Sequence, residues 1–133
     1  MPRLLLIDDD PALCRALRLS LGQAGYTVIE AENGRQGLKA VAAQPPDLVI
    51  TDIVMAETDG VEVICAIRKS FRGIPIIAVS GGGRIAADDY LRLAKALGAA
   101  EVLMKPIDIE VLLAAVARLL GPAAAQGTPM PRE

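Results

Sequence analysis

Asp47-Leu48-Val49-Ile50-Thr51-Asp52 reads as a buried strand that ends on a carboxylate. Pro45-Pro46 stands before it and the turn-forming Thr58-Asp59-Gly60 after it, which fits the central strand of a parallel sheet. In an open α/β sheet, chemistry collects at the carboxyl ends of such strands. Asp52 alone could simply begin a loop. Its company argues otherwise, because Asp8 and Asp9, Ser80 and Lys105 also close apolar, strand-like runs.

The surrounding pattern supplies the rest of an α/β fold, with five apolar runs alternating with five helix-like segments. Strand one is expected over Arg3–Ile7. Asp10 then caps a helix with Pro11 in its first turn, Leu13, Leu17 and Leu21 as its inward stripe, and Gly25 at its end. Strand two spans Thr27–Ala31, and Asn33-Gly34 opens a helix marked by Leu38, Val41 and Ala42. After the Asp52 strand, Asp59 with Glu62 resembles a capping box, and Val63, Ile64, Ile67 and Phe71 face inward. Residues 74–79 form strand four, ending at Ser80 and Gly81-Gly82-Gly83. A less amphipathic helix follows over roughly 85–97, with Tyr90, Ala94 and Leu97 on one line. Residues 100–104 form strand five, Lys105-Pro106 turn, and Ile109, Leu112, Leu113, Val116 and Leu120 stripe the final helix. One domain over 1–120 is expected, with 121–133 a disordered tail.

Composition narrows the function. The 133 residues are 53% hydrophobic and 23% charged, ample for a self-sufficient core. A net charge of −2 with no dense basic patch argues against direct nucleic-acid binding. The chain has no histidine, which removes histidine zinc sites and Ser-His-Asp or Cys-His nucleophile systems. Cys14 and Cys65 lack CxxC spacing and are expected to pack inside helices. No apolar run is long enough to span a membrane, so no membrane insertion and a cytoplasmic location are expected.

A sheet order of 2-1-3-4-5 makes strands one and three neighbours and brings Asp8, Asp9 and Asp52 to one rim. Like charges about 4 Å apart repel by roughly 4 kcal/mol at an effective dielectric near 20, so the cluster needs cations. Lys105 supplies one, and oxygen-only ligands suit Mg²⁺ or Mn²⁺ for the other. Such a site has the parts to accept a phosphoryl group. Asp52 would attack in line while the metal and Lys105 neutralise the equatorial oxygens and Ser80 donates a hydrogen bond.

With these residues in place, the chain resembles a response-regulator receiver domain of bacterial two-component signalling. The resemblance spans about residues 3–120. It rests on Leu-Leu-Leu-Ile-Asp8-Asp9-Asp10, on Asp47 to Met55 with Asp59-Gly60, on Pro75 to Ser80, and on Gly98-Ala99 with Lys105-Pro106. It implies a flavodoxin-like doubly wound sheet of five strands and five helices. It further implies metal binding by Asp8, Asp9, Asp52 and the Val54 carbonyl, Asp52 as phosphoacceptor, Ser80 as switch hydroxyl, Lys105 as phosphate contact, and a cis peptide before Pro106. The expected partners are a histidine kinase or histidine phosphotransfer protein and a downstream protein target. The chain itself is expected to be a stand-alone monomer or weak homodimer, and a phosphoacceptor that assists its own phosphorylation and dephosphorylation, not an enzyme.

Three departures from the family pattern stand out. Ala56 occupies the place of the usual proline after Met55, and Val102 that of an aromatic three residues before Lys105. The segment from Ser80 to Gly98 is a few residues long, so Gly81, Gly82 and Gly83 are a candidate hinge that would carry the switch in place of the aromatic. Three other readings compete. A haloacid-dehalogenase-like phosphohydrolase would use Asp8 as nucleophile and Asp10 as acid/base, with Ser80 and Lys105 in support. A dinucleotide site would use Gly81-Gly82-Gly83-Arg84-Ile85-Ala86. A receiver-like interaction module would turn over no phosphate.

Overall fold

A computed structural model of the chain describes residues 2–53, 60–81, 92 and 95–121. Strands β1 (Arg3–Ile7), β2 (Thr27–Ala31), β3 (Leu48–Asp52), β4 (Ile76–Ser80) and β5 (Glu101–Met104) form one sheet in the order β2-β1-β3-β4-β5. Every neighbouring pair is parallel, with Leu5 opposite Val49, Asp52 opposite Val79, and Ser80 opposite Met104. Helices α1 (Pro11–Gln23), α2 (Gly34–Ala43) and α3 (Gly60–Ser70) and a C-terminal helix (Ile109–Leu120) cover it, and residues 95–97 are also helical.

Alternation along β1 divides the core. Leu4 and Leu6 point to the face covered by α1 and the C-terminal helix, where they pack with Leu17, Leu21, Ile50, Leu112 and Val116. Leu5 and Ile7 point to the other face and meet Val41, Val49, Ile64 and Ile67 of α2, β3 and α3. The central strands β3 and β4 are buried at every residue, which is why they read as unbroken apolar runs. Each fully buried Leu or Ile contributes about 2 kcal/mol of transfer free energy, so the strand ends are held by a rigid floor.

The helix termini carry local signals. Asp10 accepts from the N–H groups of Ala12 and Leu13, Asn33 from that of Gln36, and Asp108 from those of Glu110 and Val111. Gly25 follows α1 at φ +104, a left-handed backbone that disfavours a side chain.

Several sequence expectations need correction. Cys14, not Leu13, completes the buried stripe of α1, with Leu13 only half-buried. Ala42 is exposed, because α2 turns Gly34, Gly37 and Val41 inward instead. Cys65 is exposed on α3 and packs in no core. In the C-terminal helix Ala115 joins Leu112 and Val116, while Leu113 and Leu120 lie at the margin. Strand β4 starts two residues later than expected and includes Ser80. The capping box at Asp59, Tyr90 and Ala94 on the fourth predicted helix, and the tail beyond Gly121 lie outside the described residues.

Candidate functional site

Four strands deliver the site. Asp8 follows β1, and its backbone N–H continues the ladder to the Ala31 carbonyl at 3.1 Å. Asp8 is 4% exposed, and one of its carboxylate oxygens accepts from the Asp10 N–H at 2.9 Å. Asp52 ends β3, also 4% exposed, beside Val79 of β4. Ser80 ends β4 and is buried, and its carbonyl accepts the Lys105 N–H at 2.8 Å. Lys105 follows β5 and precedes a cis bond to Pro106, as the resemblance implies.

The side chains converge. The Lys105 ammonium lies 3.1 Å from Asp52 Oδ2 and 3.2 Å from Asp8 Oδ2. Asp8, Asp9 and Asp52 each offer an oxygen, all within 4.8 Å of one another. Asp9 is the exposed member. Three carboxylates and one ammonium leave two formal negative charges, the complement of a divalent cation. A hard cation with oxygens at about 2.1 Å spans roughly 3 to 4 Å between ligand oxygens, so a small inward movement closes the set around Mg²⁺. The donor chemistry fits that ion and excludes the soft ligands zinc prefers.

Burial of the Lys105 ammonium works to lower its pKa. The hydrogen bond and charge of Asp52, joined by the charge and hydrogen bond of Asp8, outweigh it and hold the group above the ordinary lysine value. Lys105 is therefore a fixed cation. Cys14 behaves oppositely: burial, then Asp8, Glu30 and Asp10, push its thiol up to about 12. It stays protonated beside the site, its Sγ 3.5 Å from the Asp8 carbonyl oxygen.

Two features escaped the sequence. Gly60 begins α3 directly against the end of β3, with its N–H donating to the Ile53 carbonyl at 2.7 Å. A methyl there would collide with the Asp52 carbonyl oxygen and lie 2.5 Å from Ile53 Cα. Its place in the Asp59-Gly60 turn was the only clue. A cleft of about 300 Å³ also opens over Asp8 and Asp9 between α1 and α2, where Glu30 and Glu32 extend the acidic lining. Their outward positions on and after the edge strand β2 gave no sign of this.

Asp10 turns its carboxylate to α1 as a cap and lies outside the cluster, which leaves the phosphohydrolase reading without its acid/base. Val102 is half-buried against the α2 and α3 face of the core. Gly81 lies against the Lys105 stem. Val54, Gly82 and Gly83, and with them most of the glycine-rich dinucleotide motif, fall outside the described residues.

Residues 4–117 match the response regulator receiver domain family. Among curated proteins, the transcriptional regulatory protein GlrR of Escherichia coli is 39% identical over 85% of this chain and 25% of its own length. RpaA of Synechocystis, a DNA-binding dual master transcriptional regulator, is 36% identical over 90% of this chain and 49% of its own. The chain thus spans a quarter to a half of these relatives. Among solved structures, the response regulator TrrA of Thermotoga maritima in complex with Mg²⁺-BeF has a TM-score of 0.80 at 32% identity, covering 90% of this chain and 100% of that one. A receiver domain from Clostridium thermocellum has a TM-score of 0.83 at 27% identity, covering 90% and 94%. With sheet order, site geometry and sequence in agreement, the chain belongs to the response regulator receiver domain family.

Proposed function

We propose that the chain is a phosphorylatable switch that takes a phosphoryl group on Asp52 from a histidine kinase or histidine phosphotransfer protein and signals through a protein partner. The observation that carries this is the convergence of Asp8, Asp9 and Asp52 with Lys105 bridging two of them. A carboxylate oxygen of Asp52 attacks phosphorus in line. The P–N bond to the donor imidazole breaks, the nitrogen keeps the electron pair, and an acyl phosphate forms on Asp52. Lys105, protonated throughout, neutralises one equatorial oxygen, and the buried hydroxyl of Ser80 donates to another. Asp8, Asp9, Asp52 and the Val54 carbonyl would hold Mg²⁺ or Mn²⁺, which when bound supplies charge neutralisation on the phosphoryl oxygens. Asp52 is nearly sheathed by its neighbours, so water has little access except through the open rim.

Output follows from the elements next to the acceptor. Ser80 sits directly before Gly81, Gly82 and Gly83, and Val102 is too small to swing as an aromatic would. We assign the switch to Ser80 and the glycine segment, with Val102 a passive packing residue. The partner is read as a protein, not nucleic acid, since these residues carry no net positive charge. Residues 1–120 are taken as the functional unit. No helix among the described residues is long and apolar enough to cross a membrane, in keeping with a cytoplasmic partner kinase domain.

Acetyl phosphate with Mg²⁺ tests the assignment. Wild type should take up label and Asp52→Asn none. Label persisting in Asp52→Asn, or mapped to Asp8, would overturn it, and the second result would restore the phosphohydrolase reading.

A further inference from the structure

We propose that Gly81 is a positioning residue for Lys105: its missing side chain leaves the space through which the lysine stem passes to set its ammonium on both Asp8 and Asp52. For its effect on phosphoryl transfer this rests on the reading of Asp52 as acceptor.

The backbone at both ends of the contact is pinned. Lys105 N–H is held by the Ser80 carbonyl at 2.8 Å, and Ser80 is paired with Met104 across β4 and β5. Gly81 is the residue directly after Ser80. A Cβ built there would stand 2.9 Å from Lys105 Cδ and 3.7 Å from its Cβ and Cγ. Carbon atoms pack at about 3.5 to 4.0 Å, so Cδ would have to recede by roughly 0.7 Å. The ammonium, two bonds further out, would move by about 1 Å or more. The ammonium bridges two different carboxylates at 3.1 Å and 3.2 Å, so a displacement of that size is expected to lengthen at least one of the two contacts.

Alanine is otherwise acceptable at 81. Among the described glycines only Gly25, Gly98 and Gly121 have positive φ, so Gly81 does not need glycine for its backbone. This separates the proposal from the hinge role. A hinge needs freedom at 81–83 whatever occupies position 105, whereas a positioning role vanishes when the lysine is gone.

Wild type, Gly81→Ala, Lys105→Ala and the double variant should be compared by initial rate of labelling across acetyl phosphate concentrations with Mg²⁺, and by urea unfolding in EDTA. A misplacement of about 1 Å predicts that Gly81→Ala lowers the maximal labelling rate roughly ten- to a hundredfold, with KM for acetyl phosphate changed less than about twofold. In the Lys105→Ala background the same substitution should leave the rate unchanged. The urea midpoint should fall with Gly81→Ala when Lys105 is present and hold when it is absent. Equal losses in both backgrounds, an unchanged rate, or an effect on KM alone would overturn the proposal, the last meaning that a methyl merely narrows the mouth. If wild type takes no label, the acceptor reading fails separately. The urea cycle then decides Gly81, with equal midpoint shifts in both backgrounds counting against it.

Discussion

Replacing Lys105 by alanine removes the ammonium that contacts both Asp8 and Asp52, each only 4% exposed, and takes away its attraction to the two carboxylates. At an effective dielectric near 20, each of the two contacts is worth roughly 5 kcal/mol of attraction. Most of that gross figure is offset by desolvation of the three groups. Removing one partner of a buried pair costs about 3 to 5 kcal/mol, and the lysine side chain is 25% exposed, so the lower end applies. A loss of about 3 kcal/mol lowers the melting temperature of a domain this size by roughly 10 to 15 °C, leaving it folded at 25 °C. Urea unfolding in EDTA at pH 7 measures it. The sign with pH is fixed by the raised pKa of Lys105: its contribution is complete below the ordinary lysine value of 10.5 and is lost as pH rises through the higher folded value. The gap between wild type and variant should therefore be flat from pH 7 to 9 and close only above 10.5. Mg²⁺ should stabilise the variant more than wild type, since no ammonium competes for the carboxylates. A variant within about 0.5 kcal/mol of wild type in EDTA would show that the ion pairs hold nothing together.

On the proposed metal site, Asp9→Asn removes the exposed carboxylate of the cluster and should weaken Mg²⁺ binding about tenfold. At a hundred times the wild-type Kd, Mg²⁺ then stabilises the variant by about 1.4 kcal/mol instead of about 2.7, readable as a smaller Tm shift. Asp10→Ala should cost about 1 kcal/mol through loss of the α1 cap and leave acetyl phosphate labelling intact. A labelling rate that collapsed with it would return Asp10 to the chemistry. Native protein at pH 8 should show one fast thiol toward an aromatic disulfide reagent, the exposed Cys65. Cys14, buried and pushed to about 12, should react only on unfolding, and two equally fast thiols would contradict its placement.

The charge logic of the site was open to reading because charge has few ways to be satisfied. Asp8, Asp9 and Asp52 must meet a cation wherever the chain brings them together, and strand ends in a parallel sheet are brought together by the topology itself. Buried strands were equally plain, since β3 and β4 are apolar on both faces and bounded by proline and glycine. Errors fell where a residue's side depends on rotation by a fraction of a turn. Leu13 and Cys14 are adjacent on α1, and both are apolar enough for the core. Pattern cannot say which one is fully buried, and packing chose the smaller thiol, leaving Leu13 at the margin of the same cluster. Ala42 and Cys65 failed similarly: each is small enough to sit in a helix on either side at little cost, so its type says little about its face.

What pattern could not supply at all is contact made by an absent atom. In the sequence Gly60 read as a turn residue, Gly81 as part of a hinge and Gly37 drew no reading, yet each lets a particular neighbour approach: the carbonyl end of β3 at Gly60, the Lys105 stem at Gly81 and the Ile7 side chain at Gly37. Gly37 sets how closely α2 lies on the strand that leads to Asp8, and Gly60 how closely α3 lies on the strand that ends in Asp52. Gly81 bears on the cation that joins the two carboxylates. A reading built on reactive side chains identifies the charges and misses the spacing, because spacing is fixed by residues with nothing to react. Ionic contacts of 3.1 Å and 3.2 Å tolerate little displacement, so residues without chemistry hold the geometry on which the reactive ones depend.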